Sequence, residues 1–479
     1  MPQHFDILLR NGWLVDGTGQ PCFKGDLAIQ HERIVALGSL GGVRAATEID
    51  VHEQMICPGF IDTHSHDDGI VLTDPAMISK LSQGVTTEIV GNCGISLAPL
   101  VLKEAPPEPL NLIGQQVDFH FSTFADYATA LRKARPNINI AALIGHATLR
   151  VGAMADVSCK ADAREINVMR DQLKNCLKEG AIGFSTGLFY APNRAADIAE
   201  VVALAKLLPS HQGIYATHMR DEFDGVMESL QESVMAARLA RVPLVISHHK
   251  CAGWRNWGRS HETLAFIRES QEKQPIGLDV YPYVAGSTVL DPCHVDGKTR
   301  VLITWSAPYP DVAGKDLADI AKLWQCSLIE AARRLMPGGA CYFQMDEADV
   351  QRILQFPSTM IGSDGLPHDK HPHPRLWGTF PRVLGHYARE LKLFSMEEAV
   401  RKMTSLAAEQ FQLKDRGVLR TCAYADIVVF DPHTVIDKAT FDKPKEAAEG
   451  IDTVIVNGHI SWRHQRDQHA RAGRLLHHQ

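Results

Sequence analysis

The sequence predicts a (β/α)₈ TIM barrel with a small β-sandwich domain formed by both chain ends and an insertion over the barrel mouth. Three observations support this architecture. From Gly59 onward, short apolar runs that end in polar residues alternate with amphipathic stretches, as in successive βα units. Eight such runs occur, and eight parallel strands with intervening helices close into a barrel. Both chain ends hold strand-type segments without a long helical period.

The eight predicted barrel strands are brief and mostly apolar. They cover Gly59–Thr63, Val85–Gly91, Ile138–Gly145, Ala181–Ser185, Gly213–Thr217, Pro243–Ser247, Ile276–Val280 and Thr359–Gly362. Amphipathic stretches between them predict helices, with examples at Asn167–Glu179, Ala196–Leu208, Asp224–Arg241 and His261–Glu272.

Domain boundaries follow from where the pattern changes. Residues 1–57 and 415–479 are predicted to form the small β domain, because strand-like segments such as Phe5–Leu9 and Ala425–Phe430 occur there without a long helical period. Residues 58–414 are predicted to form the barrel. The interval between the seventh and eighth strands is too long for one helix and holds helical segments at Leu317–Trp324 and Ser327–Leu335. Residues from about 290 to 350 are therefore predicted to be the insertion.

Composition and charge argue against nucleic-acid and membrane partners. The chain has 479 residues, 45% of them hydrophobic, and a net charge of −7, whereas nucleic-acid-binding domains are usually basic. No apolar stretch reaches the ~20 residues of a membrane span, and no signal-peptide run opens the chain. The ten cysteines include no CxxC pair, so we expect reduced thiols and a cytoplasmic location. The basic C-terminal stretch is expected to be a solvated tail; it contains Arg463, Arg466, Arg471 and Arg474.

Candidate metal ligands follow five of the eight predicted strands. Active sites of TIM barrels lie at the C-terminal strand ends, and zinc binds imidazole, thiolate and carboxylate groups. Independent structural histidines have no reason to fall at the same end of several strands, so the sequence predicts a metal site. Its candidates are His64 and His66 after the first strand, Cys93 after the second, His218 after the fifth, His248 and His249 after the sixth, and Asp364 after the eighth.

The motif Pro58–His66 resembles the opening motif of the amidohydrolase superfamily. The likeness is closest to the D-aminoacylases, which are N-acyl-D-amino-acid deacylases, and it runs over nearly the whole chain. The supporting segments are Gly91–Pro99, Thr217–Glu222, Ile246–Lys250, Tyr281–Thr288 and Gly362–His368.

This resemblance implies a zinc enzyme with two metal positions. A tightly held zinc would be bound by Cys93, His218 and His248, and a second, weaker position would use His64, His66 and Asp364. Many members of the superfamily bridge two metals with a carboxylated lysine from strand four. The fourth predicted strand here contains no lysine, and Cys93 is the candidate substitute. His249 is expected to be a structural neighbour, because His248 lies at the matching position.

The implied reaction converts an N-acyl-D-amino acid, a small-molecule partner, into a carboxylate and a free D-amino acid. Asp364 is predicted to take a proton from the attacking water and to return it to the leaving amine. Tyr190 is a candidate donor to the tetrahedral oxyanion, with an aromatic packing role as the alternative. The resemblance also implies that the substrate carboxylate is anchored by Lys250, Tyr281, Ser287 and Arg375.

Two other functions compete with this interpretation. One is a cyclic-amide hydrolase of the hydantoinase or dihydroorotase type, against which the missing strand-four lysine argues. The other is a non-catalytic scaffold with the same fold, against which the presence of all six candidate ligands argues. Selectivity for the D-isomer follows from the resemblance alone, and the sequence leaves the oligomeric state open.

Overall fold

A barrel of eight parallel strands forms the centre of the molecule, in a computed structural model that describes residues 4–478. The first and last strands are joined by a bridge between Ser65 and Gly365 and by a hydrogen bond of 2.7 Å from the Asp364 amide to the His64 carbonyl. All eight predicted strands are confirmed to within two residues at either end. They are β1 (Phe60–Asp62), β2 (Val85–Val90), β3 (Asn139–Gly145), β4 (Gly183–Gly187), β5 (Ile214–His218), β6 (Leu244–Ile246), β7 (Ile276–Val280) and β8 (Thr359–Ile361).

Helices surround the barrel, and several begin at a side-chain cap. Thr123, Asp162 and Asp197 each accept a hydrogen bond from the backbone amide three residues later, which satisfies a free N–H group of the first turn. The helices of this layer are Ile70–Thr73, Ile78–Leu81, Phe124–Ala134, His146–Ala153, Ala163–Lys178, Ala191–Arg194, Ile198–Ala205, Val226–Ala240, Ser260–Gln271, Glu347–Gln355, Arg375–Arg382 with the π-helix Val383–Glu390, Met396–Met403 and Ser405–Gln410. Short 3₁₀ turns lie at Leu110–Leu112, Gln116–Asp118, Pro209–His211, Trp254–Asn256, Pro292–His294 and Pro310–Val312.

The barrel interior is a packed hydrophobic core. Alternate strand residues such as Ile89, Leu143 and Val245 point inward, and Phe411 closes the core behind helix Ser405–Gln410. Since apolar side chains fill this interior, polar chemistry is confined to the strand ends, as in other TIM barrels.

Both chain ends build the small β-sandwich domain. Its strands hydrogen-bond into one mixed sheet that encloses a separate core containing Ile7, Leu27, Ile56, Ile427 and Ile455. The two ends meet where Met55–Pro58 pairs antiparallel with Ile427–Phe430. The other strands are His4–Leu14, Phe23–Gln30, Arg33–Gly38, Arg44–Asp50, Ile451–Val456, His459–Arg463 and Arg466–Asp467. A separate two-stranded ribbon, Leu100–Val101 with His120–Phe121, lies beside the barrel.

The insertion between β7 and β8 contains a sheet as well as the expected helices. Strand Gly338–Tyr342 pairs antiparallel with Gly286–Val289 on one side and with Val301–Ser306 on the other. Helices Leu317–Leu323 and Leu328–Leu335 cover this sheet and share a hydrophobic cluster with it. The insertion therefore has its own core, which lets it form one wall of the barrel mouth.

The expectation of a solvated C-terminal tail is wrong. Strand Leu475–Leu476 pairs with Ile140 and Ala141 of β3, and the Gly473 amide donates to the Pro136 carbonyl at 2.9 Å. A Cβ at Gly473 would lie 1.9 Å from the Ile138 oxygen, so only glycine permits this approach. The tail docks through its backbone, a contact that its charge pattern does not reveal.

None of the helices that the structure describes is long and apolar enough to cross a membrane.

Candidate active site

A cavity opens at the C-terminal ends of the barrel strands, and together with the part that is open to solvent it measures about 570 Å³. Barrel loops form most of its wall and the insertion forms the rest. Its lining comprises His66, Leu112, Phe189, Tyr190, His218, Glu222, Phe223, His248, Lys250, Tyr281, Gly286, Ser287, Thr288, His294, Tyr342, Gln344, Asp364 and Leu366.

All six side chains predicted as metal ligands converge at the floor of this cavity, and all are buried. They form two groups that share Cys93: Cys93 with His218 and His248, and Cys93 with His64, His66 and Asp364. Within each group the potential ligand atoms lie within 4.8 Å of one another. Cys93 Sγ is 3.2 Å from His64 Nε2 and 3.3 Å from His248 Nε2.

Three of these six residues have a left-handed backbone. Cys93, His248 and Asp364 have φ values of 53°, 36° and 50°, a region that residues other than glycine seldom adopt. Each lies just past the end of a strand, where the reversal turns its side chain toward the barrel axis. Strained backbone of this kind persists only where the surrounding structure enforces it, and it is concentrated at functional sites.

Strand β4 holds the turn that carries Cys93. The Ser185 hydroxyl donates to the Gly91 carbonyl at 2.5 Å and accepts from the Gly94 amide at 3.0 Å. A Cβ at Gly187 would lie 2.1 Å from the Cys93 carbonyl oxygen. The strand that lacks a lysine therefore supplies the hydroxyl and the open space that position the cysteine.

The chemistry of the donors fits a zinc ion. Burial would raise the pKa of Cys93, but the imidazoles of His64 and His248 hold it well below its usual range, which favours the metal-binding thiolate. Neither ring nitrogen of buried His218 has a hydrogen-bond partner among residues 4–478, and such orphaned nitrogens are costly unless they bind a ligand. Clustered thiolate, imidazole and carboxylate groups are the ligand types that zinc prefers.

Two buried carboxylates support the histidines, and both were missed from the sequence. Glu222 Oε1 lies 3.1 Å from His248 Nδ1 and accepts from Lys250 Nζ at 2.7 Å. Asp279 Oδ1 accepts from the His248 amide at 2.8 Å and lies 3.3 Å from His64 Nδ1. Signals for both existed: Asp279 is a lone carboxylate inside an apolar barrel strand, and Glu222 closes the motif that begins at Thr217.

Asp364 is paired with an arginine. Arg375 Nη1 lies 2.8 Å from Asp364 Oδ2, and Arg375 Nη2 donates to the Ser287 carbonyl at 3.1 Å. Burial would raise the pKa of Asp364, but the Arg375 guanidinium and the His64 imidazole hold it well below its usual range. Asp364 is therefore ionised and can accept a proton or bind a metal.

The structure places the residues predicted to bind substrate around this pair. Lys250, Tyr281, Ser287 and Tyr190 line the cavity, whereas fully buried Arg375 lies behind Asp364, 4.4 Å from the centre of the Tyr281 ring. Ser287 Oγ and Arg375 Nε are buried donors without partners in the described part of the chain. The Tyr190 hydroxyl is 3.0 Å from Thr288 Oγ1. His249 instead contacts Thr263, with 2.9 Å between Nε2 and Oγ1.

Comparison with known proteins identifies the family. The model of the Amidohydrolase family matches residues 47–282 and 316–461. The D-aminoacylase of Alcaligenes xylosoxydans xylosoxydans is 49% identical over 474 residues, which are 99% of this chain and 98% of the relative. The chain belongs to the amidohydrolase family, in its D-aminoacylase branch.

Two further relatives of this amidohydrolase are named for an acidic substrate. The N-acyl-D-glutamate deacylase of the same organism is 45% identical over 477 residues, covering 99% of this chain and 97% of the relative. An N-acyl-D-glutamate deacylase from Bordetella bronchiseptica, solved with zinc and a phosphonate inhibitor, superposes with a TM-score of 0.96 at 45% identity, covering 99% of this chain and all of the other.

The close approach of Gly187 to Cys93 gives a test of the site. Gly187→Ala should displace the Cys93 turn and lower metal affinity by about 10- to 100-fold, the usual cost of disturbing the support of a metal ligand. The measurement is metal bound per chain at controlled free zinc, with circular dichroism to verify folding. Gly152→Ala is the matched control, because its Cβ would meet no atom closer than 3.5 Å. Equal metal affinity in the two variants would contradict the proposed support.

Proposed function

We propose that this amidohydrolase is a zinc-dependent hydrolase that converts N-acyl-D-amino acids into a carboxylate and a free D-amino acid. The observation that carries the proposal is the pair of ligand groups sharing Cys93 beneath a cavity lined by Ser287, whose buried hydroxyl has no partner in the described part of the chain. Two relatives that align over nearly their whole length support it, a D-aminoacylase at 49% identity and an N-acyl-D-glutamate deacylase at 45% identity. Strand β4 offers hydroxyl groups and no lysine, which disfavours the cyclic-amide alternative.

The ligands are proposed to serve two positions. Cys93, His218 and His248 would hold the tight zinc, and His64, His66 and Asp364 would complete a weaker second position. When bound, zinc polarises the amide carbonyl and lowers the pKa of the attacking water to about 7.

The chain's own residues would move the proton. Asp364 is proposed to accept it from water and to deliver it to the leaving amine nitrogen. The Arg375 guanidinium, 2.8 Å away, keeps this carboxylate ionised and in place. The Tyr190 hydroxyl is proposed to donate a hydrogen bond to the oxyanion. It lies 3.0 Å from Thr288 Oγ1, and either hydroxyl can be the donor in that pair.

The substrate carboxylate is proposed to lie against Lys250, Tyr281, Ser287 and Arg375. The free Ser287 Oγ and Arg375 Nε supply donors that a carboxylate would satisfy. With the carboxylate and the acyl carbonyl both held, inversion at the α-carbon would send the side chain to a different wall, which explains selectivity for one isomer.

The ten unpaired cysteines support the proposed cytoplasmic setting.

A hydrolysis screen tests the proposal. Purified protein loaded with zinc should release free amino acid from N-acetyl-D-amino acids and little from their L-isomers, and removal of zinc by a chelator should abolish the reaction until zinc is restored. Amino-acid release is measured for each enantiomer. Turnover of hydantoins or dihydroorotate in place of the linear amides would refute the proposal.

Replacing Asp364 by asparagine tests the proton transfer. Asn keeps the shape but cannot accept the proton, so kcat should fall by about 10²- to 10⁴-fold. Cys93, His218 and His248 are unchanged, so the tight zinc should stay bound. The measurements are steady-state kinetics and zinc content. Near-normal turnover at full zinc would exclude Asp364 as the proton carrier.

Replacing Arg375 by alanine tests the carboxylate anchor. The loss should be about 2–5 kcal/mol in transition-state binding, the range for truncating a buried charged pair, or about 30- to several-thousand-fold in kcat/KM. Arg375→Lys should restore activity only in part, because it lacks the planar fork. An N-acyl amine without a carboxylate is the control, and it should lose much less. Equal losses on both substrates would show that Arg375 acts only through Asp364.

A further inference from the structure

We infer that Arg150 is a positioning residue for the oxyanion donor Tyr190, and that it acts through the backbone of the turn that follows Tyr190. The inference rests on the proposed function, in which the Tyr190 hydroxyl stabilises the tetrahedral oxyanion. Arg150 lies on helix His146–Ala153, directly after β3, and does not line the substrate cavity. Its effect on the reaction therefore passes through a residue that does.

A buried ionic cluster fixes the Arg150 side chain. Arg150, His146 and Glu200 are each at most 2% exposed. Arg150 Nη1 donates to Glu200 Oε1 at 2.5 Å, and His146 Nε2 lies 2.8 Å from the same oxygen. Glu200 belongs to helix Ile198–Ala205, which follows β4, so the cluster joins the helices after two neighbouring strands. Charges paired in this way hold their orientation, because losing one partner would leave the other buried and uncompensated.

The remaining guanidinium nitrogens of Arg150 hold backbone carbonyls. Nε donates to the Pro192 carbonyl at 2.6 Å, and Nη2 donates to the carbonyls of Val157 and Cys159 at 3.0 and 2.6 Å. The guanidinium can hold this many acceptors because its five N–H groups form a rigid planar fork. The bond to Pro192 matters for the reaction, because Pro192 lies two residues past Tyr190.

The turn that contains Pro192 is too short to keep its shape alone. Ala191–Arg194 is a single helical turn of four residues, and so short a helix is unstable without tertiary contacts. Its first acceptor is Tyr190, whose carbonyl receives hydrogen bonds from the Asn193 and Arg194 amides at 2.9 and 3.0 Å. The turn and Tyr190 are thus one hydrogen-bonded unit. A shift of the Pro192 carbonyl would move the Tyr190 backbone with it.

The Tyr190 side chain has a defined place in the cavity. Its hydroxyl lies 3.0 Å from Thr288 Oγ1, and its ring centre lies 5.0 Å from that of His218, a proposed zinc ligand. An oxyanion donor acts only at hydrogen-bond distance from the developing charge, and a misplacement of about 1 Å can cost about 10²-fold in rate. Arg150 therefore affects turnover through the position of this hydroxyl.

The same helix also supports the turn that carries the metal-binding cysteine, but through other residues. The Ala147 amide donates to the Gly94 carbonyl at 2.7 Å, and the Thr148 hydroxyl donates to the Ser96 carbonyl at 2.8 Å. Neither bond involves the Arg150 side chain. Substitution of Arg150 should therefore change the rate without changing zinc content.

The first test replaces Arg150 by lysine, which keeps a positive charge for Glu200 but loses the planar fork. With zinc content unchanged, kcat for an N-acetyl-D-amino acid should fall by about 10²-fold, while KM changes little. The matched control is Arg416→Lys, because Arg416 is also a buried arginine paired with a carboxylate, that of Asp426. The control should keep kcat near the parent value. Equal losses of kcat in the two variants would overturn the inference.

The second test combines the change with Tyr190→Phe. Tyr190→Phe alone should lower kcat by about 10²- to 10³-fold, as for loss of an oxyanion donor. Arg150→Lys should then cost little more, because residues that act as a unit have non-additive effects. The same loss in both backgrounds would overturn the inference and leave the proposed function intact. Full kcat in Tyr190→Phe would refute the proposed oxyanion role of Tyr190, and the inference with it.

The third test measures binding of a phosphonate that mimics the tetrahedral intermediate. Because such a mimic reports transition-state binding, its affinity should fall in Arg150→Lys by the same factor as kcat/KM. Glu200→Gln provides a second variant if Arg150→Lys does not fold, since it keeps the side-chain size and removes only the charge that holds Arg150. Undiminished phosphonate affinity in a folded, zinc-loaded variant of either kind would overturn the inference.

Discussion

The metal site depends on one steric constraint, the tight contact between the Cys93–Gly94 turn and strands β3 and β4. A Cβ at Gly187 would lie 2.1 Å from the Cys93 carbonyl oxygen, and one at Gly145 would lie 2.5 Å from the Gly94 carbonyl oxygen. Because Gly145 and Gly187 have no side chain, the turn can lie deep in the barrel mouth. At that depth the Cys93 thiolate lies within 4.8 Å of the ligand atoms of both groups.

A second layer of buried charges keeps those ligands in place. Lys80 Nζ donates to Asp62 Oδ2 at 2.6 Å and to the Ser363 hydroxyl at 2.8 Å. Asp62 Oδ1 accepts from the backbone amides of Ser363 and His64, at 2.8 and 3.2 Å. This network ties β1 to the residue that precedes Asp364, so it closes the barrel at the point where the first and last ligands meet. Paired and hydrogen-bonded groups of this kind are costly to disrupt because each partner would be left as an uncompensated charge.

The insertion and the barrel loops are coupled through the cavity they share. Ser287 accepts from Arg375 through its carbonyl, and the Tyr190 hydroxyl meets Thr288. The strand Gly286–Val289 therefore connects the arginine behind Asp364 with the candidate oxyanion donor. Because the insertion has its own hydrophobic core, its sequence can vary and reshape the outer wall while the barrel and its ligands stay unchanged.

By itself, the sequence determined the eight barrel strands, the sandwich built from both ends and the six side chains that converge at the barrel mouth. These follow from local pattern, since apolar runs of strand length record burial and a parallel barrel brings all C-terminal strand ends together. The tertiary structure alone decided the pairing of Arg375 with Asp364, the contacts of Glu222 and Asp279 with the histidines, and the docking of the C-terminal tail. Each of these contacts is set by backbone direction and close packing, so a single residue such as Asp279 can signal a role in the sequence without showing which group it contacts.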